Sequence, residues 1–167
     1  MKIPPRGARR VKRSYPAPTP GPVFSVRTTP GGHLLAARVH VARSVWRRFR
    51  GLMGRSRLGD GEGLWLPGDA SIHMFFMRFP IDAVFLAADD PTEDGLAVNG
   101  TPQTWRVVAV REGLRPWRDL AWARGAGGCL ELAAGRVGAV GLEPGQTVVF
   151  EPLGSGHPTT LHGLCRG

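Results

Sequence analysis

The chain has 167 residues, a net charge of +9, and 39 glycines and prolines (24 Gly, 15 Pro). That length suits one domain with a real core plus tails, and the Gly/Pro content favours short strands and many turns over long helices. No apolar run approaches the roughly 18 residues of a membrane span, and the basic start is not followed by the apolar segment of a secretory leader. Residues 1–59 carry fourteen Lys/Arg and no acid, whereas residues 60–167 carry eight Arg and thirteen acids. A cationic front half joined to a mildly acidic rear half permits binding to nucleic acid, to anionic lipid, or to the protein's own acidic half.

In chain order, residues 1–22 mix Lys/Arg with six prolines and few core-forming side chains, and read as a disordered basic arm. A single β domain is expected over 23–153, with a loose tail over 154–167. Val23–Thr28 is a strand candidate, and Pro30-Gly31-Gly32 is a turn. Leu34–Val41 alternates apolar and polar residues and pairs back as a hairpin. Ser44 caps a short helix over Val45–Met53, the only substantial helix expected, with Val45, Phe49 and Leu52 on its apolar face. Leu64–Leu66 begins a strand leading into Ser71–Ala87, SIHMFFMRFPIDAVFLA, the most apolar run of the chain. Two strands, Ile72–Phe76 and Ile81–Ala87, flank a break at Pro80, which fixes its own φ and lacks a donor. An acidic, turn-rich loop follows, then strands over Trp105–Glu112, Cys129–Ala133 and Thr147–Glu151. Gly113–Gly128 is irregular, and Gly135–Gly145 is glycine-punctuated. This spacing predicts a mainly β, antiparallel sandwich, jelly-roll-like fold or partly open barrel with one short helix, and excludes a doubly wound α/β fold.

The blocks RGLMGRSRL (Arg50–Leu58), IHMFFMRFPIDAVFL (Ile72–Leu86), LRPWR (Leu114–Arg118) and LELAAG (Leu130–Gly135) together resemble the domain of unknown function 192 family. The resemblance spans about Arg38 to Glu151. It implies a small, mostly β architecture, jelly-roll-like or sandwich, with one short helix, and it implies no established activity. The chain departs from the family pattern by the additional residues Asp89–Thr101, where a short turn is usual.

Three polar groups stand inside the apolar run: His73, Arg78 and Asp82. Buried alone, each would cost free energy, so they either face a ligand pocket or satisfy one another. A charge-assisted Arg78–Asp82 pair would clamp the bend at Pro80, and a structural network is the simpler of the two readings. Arg55 and Trp65 complete the ligand-contact candidates. Trp65, with Trp105, Trp117 and Trp122, could line a sugar groove, although burial as core anchors is the commoner use of tryptophan. Arg43, Arg47, Arg48 and Arg50 form a candidate anion or phosphate-backbone surface. Met53, Met74 and Met77 with His73 are soft donors, but methionine is also an ordinary core filler, and no metal or cofactor is expected. Cys129 lies mid-strand in apolar company, as an inert thiol would. The sequence contains no nucleophile elbow, phosphate loop or dinucleotide fingerprint. The leading expectation is a cytoplasmic, non-catalytic binding module with a pocket or groove near the central strands, its partner open and a small molecule one candidate. Anion or nucleic-acid binding through the basic front half comes second, and an unrecognised hydrolase third.

Overall fold

A computed structural model of the chain describes residues 23–42, 52, 56–88 and 103–153. Nine strands are present among them: β1 (Val23–Thr29), β2 (Leu34–Val41), β3 (Glu62–Pro67), β4 (Ser71–His73), β5 (Ile81–Ala88), β6 (Gln103–Leu114), β7 (Leu120–Trp122), β8 (Gly128–Ala133) and β9 (Thr147–Pro152). One short helix, α1 (Arg136–Val140), lies between β8 and β9.

Seven strands close a barrel in the order β1-β2-β3-β8-β5-β6-β9, and β4 and β7 form a separate two-stranded ribbon. The barrel closes because β9 pairs with β1 along one edge and with β6 along the other, so no sheet edge is left open. Of the alternatives drawn from the sequence, the barrel is the one found. It is not wholly antiparallel: β2 and β3 run parallel, from Arg38↔Glu62 to Val41↔Trp65. A parallel pair needs a long crossover, and residues 42–61 supply it.

β5 explains how two cores coexist. Seven of its eight residues are buried, because the strand is covered on both faces. Val84 and Leu86 point into the barrel, where they join Phe24, Trp65, Trp105, Leu130, Leu132 and Phe150. Ile81, Ala83 and Phe85 point outward into a second core with Ile72, Met74, Met77, Ala121 and Cys129. The ribbon is therefore a lid over the outer face of β5 and β8. Inside the barrel, Trp65 lies 4.9 Å from Trp105 and 5.2 Å from Phe150, centroid to centroid. Gly128 makes room for this cluster, since a Cβ there would come within 2.3 Å of the Trp65 ring.

Two local expectations are corrected. The strand expected over Ile72–Phe76 stops at His73, because residues 75–76 turn and Phe76 takes a left-handed backbone (φ 64°). Within Gly113–Gly128, expected to be irregular, the chain forms β7, and the glycine-punctuated stretch Gly135–Gly145 contains α1. Helix α1 has no side-chain cap of its own: Gly135 occupies that position at φ 84°, and a distant carboxylate takes over the role. The helix expected over Val45–Met53 lies outside the described residues, apart from Leu52, which is buried in the outer core. The basic arm and the Asp89–Thr101 segment also lie outside them.

Candidate functional site

His73, Arg78 and Asp82 do not form one site. Strand alternation turns Asp82 to the barrel side of β5, while the ribbon that carries His73 covers the opposite side. Asp82 is fully buried, and its carboxylate accepts the backbone N–H of Gly113 at 2.9 Å and of Val137 at 2.9 Å. It thereby satisfies the open N-terminus of α1 and pins the bulge in β6, where Gly113 has φ 60°. Arg136 ties the same helix to β2 by donating to the carbonyls of Leu34 and Leu35. The expected Arg78–Asp82 clamp is thus replaced by backbone donors, and Arg78 is exposed. Asp82 is structural.

Trp65 is also corrected, because it is fully buried at the centre of the barrel and lines no groove. Arg43, Arg47, Arg48, Arg50 and Arg55 lie outside the described residues. Met74 and Met77 are buried in the outer core while His73 is exposed, so these three donors do not converge. Among the described residues no group of three or more His, Cys, Asp or Glu is placed to hold a metal.

The outer face of the ribbon and its adjoining turns carry two of the four tryptophans considered for a groove, Trp117 and Trp122. The ribbon's register pairs Ser71 with Trp122, Ile72 with Ala121 and His73 with Leu120. Ile72 and Ala121 pack inward, so Ser71, His73, Leu120 and Trp122 all point out. Beyond the last rung the chain turns, held by the Met74 N–H donating to the Asp119 carbonyl and the Trp117 N–H donating to the Met74 carbonyl. Those turns carry Phe75, Phe76 and Trp117. Of the six exposed large hydrophobic residues among the described residues, five are here: Phe75 (46 % exposed), Phe76 (56 %), Trp117 (59 %), Leu120 (58 %) and Trp122 (63 %). Single exposed apolar residues need no explanation, but five on one small ribbon do.

The backbone reinforces this reading. Phe76 and Trp117 are the non-glycine residues with positive φ among the described residues, at 64° and 62°. Left-handed backbone is unfavourable for bulky side chains and persists where surrounding structure enforces it. Here it sets the two rings edge to face at 4.8 Å, above the surface. His73 and Phe75 form a second ring pair at 5.4 Å. Trp122 has no ring partner among the described residues.

The same segments, residues 71–80 and 114–126, contain four arginines (Arg78, Arg115, Arg118, Arg124) and one acid, Asp119. All four arginines are exposed. Asp119 is engaged locally: its carboxylate accepts the Arg115 N–H at 2.7 Å and lies 3.4 Å from the Arg115 Nε. The Arg115 backbone hydrogen bond holds its carboxyl below the usual range, ahead of the charges of Arg115 and Arg118. The face is cationic and aromatic.

Two other places were candidates for chemistry. Glu131 on β8 is buried, and its Oε2 has no hydrogen-bond partner among the described residues. Burial, and then the charge of Asp69, push its carboxyl up to about 8, so it is neutral at pH 7. Cys129, two residues earlier on the same face, is pushed well above the ordinary thiol range, first by burial and then by Glu131 and Asp69. It is an inert thiol. At the far end of the barrel, a cleft of about 280 Å³ opens between Thr28, His33, Val140 and Gln146. Two of its polar groups are already engaged: the Thr28 hydroxyl accepts the His33 N–H and the side-chain amide oxygen of Gln146 accepts the Glu143 N–H.

A closed mixed barrel with a short ribbon laid over one outer face is the class this geometry defines. The family model of DUF192, described as "Uncharacterized ACR", matches residues 26–93. A UPF0127 protein of Thermococcus sibiricus is 30% identical over 124 residues, which is 72% of this chain and 70% of that protein. The chain belongs to this family. Among solved structures, a protein of unknown function from Novosphingobium aromaticivorans matches with 26% identity and a TM-score of 0.58, over 75% of this chain and 82% of that one. A candidate transcription regulator from Sinorhizobium meliloti shares the fold, with a TM-score of 0.63 at 22% identity, over 81% of this chain and 98% of that one.

Proposed function

We propose that the protein is a non-catalytic binding module and that its ligand contacts the outer face of the β4–β7 ribbon. One observation carries this reading: five of the six exposed large hydrophobic side chains among the described residues are gathered on that ribbon and its adjoining turns. Exposing such a patch to water is unfavourable at roughly 25 cal/mol per Å² of apolar surface, and a ligand that covers it recovers that free energy. The strained backbone at Phe76 and Trp117 supports the reading too, since strain of this kind gathers at ligand-contacting positions. His73 and Arg78 keep their place as ligand contacts, now as polar members of an open face rather than of a pocket. Asp82 and Trp65 leave the list. The setting proposed is the cytoplasm, and among the described residues no helix is long and apolar enough to cross a membrane.

The test is fluorine NMR of the full chain labelled with 5-fluorotryptophan. It is challenged in turn with a chito-oligosaccharide, a single-stranded oligonucleotide, and vesicles of phosphatidylcholine and phosphatidylglycerol. At least one probe is expected to move the Trp117 and Trp122 resonances while the buried Trp65 and Trp105 stay in place. If no probe moves them, or all five tryptophans move alike, the ribbon is not a binding face.

A further inference from the structure

Aromatic residues and exposed arginines are interleaved along the segments that build this face, not segregated. Arg118 adjoins Trp117, Arg115 stands two residues before it, Arg78 two residues after Phe76, and Arg124 two residues after Trp122. An interfacial membrane anchor presents a continuous apolar wedge with its cations behind it at headgroup level. A single nucleic-acid strand instead alternates flat apolar bases with anionic phosphates, and proteins that hold it combine stacking rings with a cationic track. The face has both components. Trp122 is 63 % exposed and has no ring partner among the described residues, so its indole presents unstacked ring surface to a base. The Phe76–Trp117 and His73–Phe75 pairs add further ring surface within the same ribbon. The one carboxylate, Asp119, is engaged by Arg115 and adds little repulsion toward a polyanion.

Resting on the reading of the ribbon as a binding face, we propose that its ligand is a single-stranded nucleic acid. The bases stack on Trp122 and on the Phe76–Trp117 pair, and the phosphates are held by Arg78, Arg115, Arg118 and Arg124. Duplex binds less well, because its bases are already stacked on one another and cannot reach the rings. The cationic front half of the chain would attract any polyanion, single or double, so the experiment must separate the two contributions.

Affinity of the full chain is measured by fluorescence anisotropy at physiological and at high salt. The probes are a thymidine oligonucleotide of about 20 nucleotides, long enough to span a stacking platform, and a duplex of equal length. The single strand is expected to bind more tightly than the duplex, to quench tryptophan emission, and to retain measurable affinity at high salt. Trp122→Ala removes an exposed ring with no ring partner. It is expected to weaken single-strand binding by roughly 5-fold or more while leaving duplex binding unchanged. Arg118→Gln is expected to lower the salt slope for the single strand by about 0.7, the single-strand value per phosphate contact. Circular dichroism of both variants, unchanged from the parent, establishes that they fold. Equal affinity for duplex and single strand, unaffected by Trp122→Ala, would overturn the proposal and assign polyanion binding to the front half. Ring-dependent binding to phosphatidylglycerol vesicles without single-strand binding would also overturn it, while leaving the ribbon as the binding face. Failure of every probe to respond to Trp122→Ala would remove both proposals.

Discussion

The barrel interior and the outer face of the ribbon are built from the same kinds of residue and use them in opposite ways. Inside, Trp65 and Trp105 are 0 % and 2 % exposed and meet Phe150 in an interlocked cluster. Outside, Trp117 and Trp122 are 59 % and 63 % exposed, and Trp117 is held up by a left-handed backbone. Between them lies β5, whose two faces feed the two cores. Aromatic residues in a small β protein are therefore not one population. Those in the barrel contribute stability through buried area, while those on the ribbon contribute little to stability and are available for contact.

The comparison predicts how unequally the two regions respond to substitution. Trp65→Ala should be the most damaging change, costing about 3–5 kcal/mol, because it empties the barrel centre. A chemical-denaturation midpoint that barely moved would break the contrast. Glu131, in the wall between the two cores, should come next, and its effect depends on pH. Its carboxyl rises from 4.5 to about 8 on folding, so between those values the native state binds a proton that the unfolded state does not. Its contribution is fully present below about pH 4.5 and is lost as pH rises toward 8. Glu131→Gln keeps the neutral shape. It should match the parent near pH 4 and exceed it by a few kcal/mol at pH 9, and a constant difference across that range would refute the assignment.

Asp82→Ala should cost about 2–3 kcal/mol, since it leaves the buried Val137 N–H and the part-buried Gly113 N–H without their acceptor. Amide exchange sharpens this case: the Gly113 and Val137 amides should lose protection first, and protection retained at both would show that Asp82 is not their anchor. The smallest effect belongs to the ribbon face, where Trp122→Ser should change stability by no more than about 0.5 kcal/mol. A loss as large as that for Trp65 would erase the distinction between the two regions.

Much of this architecture was legible in the chain. Period-two alternation over Leu34–Val41 and the mostly apolar run of Ile81–Ala87 located β2 and β5 nearly residue by residue. The family blocks agreed with a β fold carrying a short helix. The candidate site was harder to read. Asp82 looked like a partner for Arg78 because they are close in sequence, yet its donors come from Gly113 and Val137, far along the chain. The segment Leu120–Ala123 held a usable signal: its small residues, Ala121 and Ala123, are buried while Leu120 and Trp122 are exposed, the reverse of an ordinary amphipathic strand. Hydrophobic patterning assumes that the larger side chain faces inward, so the pattern points the wrong way when a large ring faces out.

The sequence alone determined the β class, the family, the approximate strands and the charge asymmetry, because these depend on local spacing and composition. Only the tertiary structure decided that the barrel closes, that β2 and β3 run parallel, and that Asp82 caps α1. It alone sorted the tryptophans into buried and exposed. Each of those outcomes depends on contacts between residues distant in the chain, and a local pattern carries no record of which face a neighbouring strand will cover.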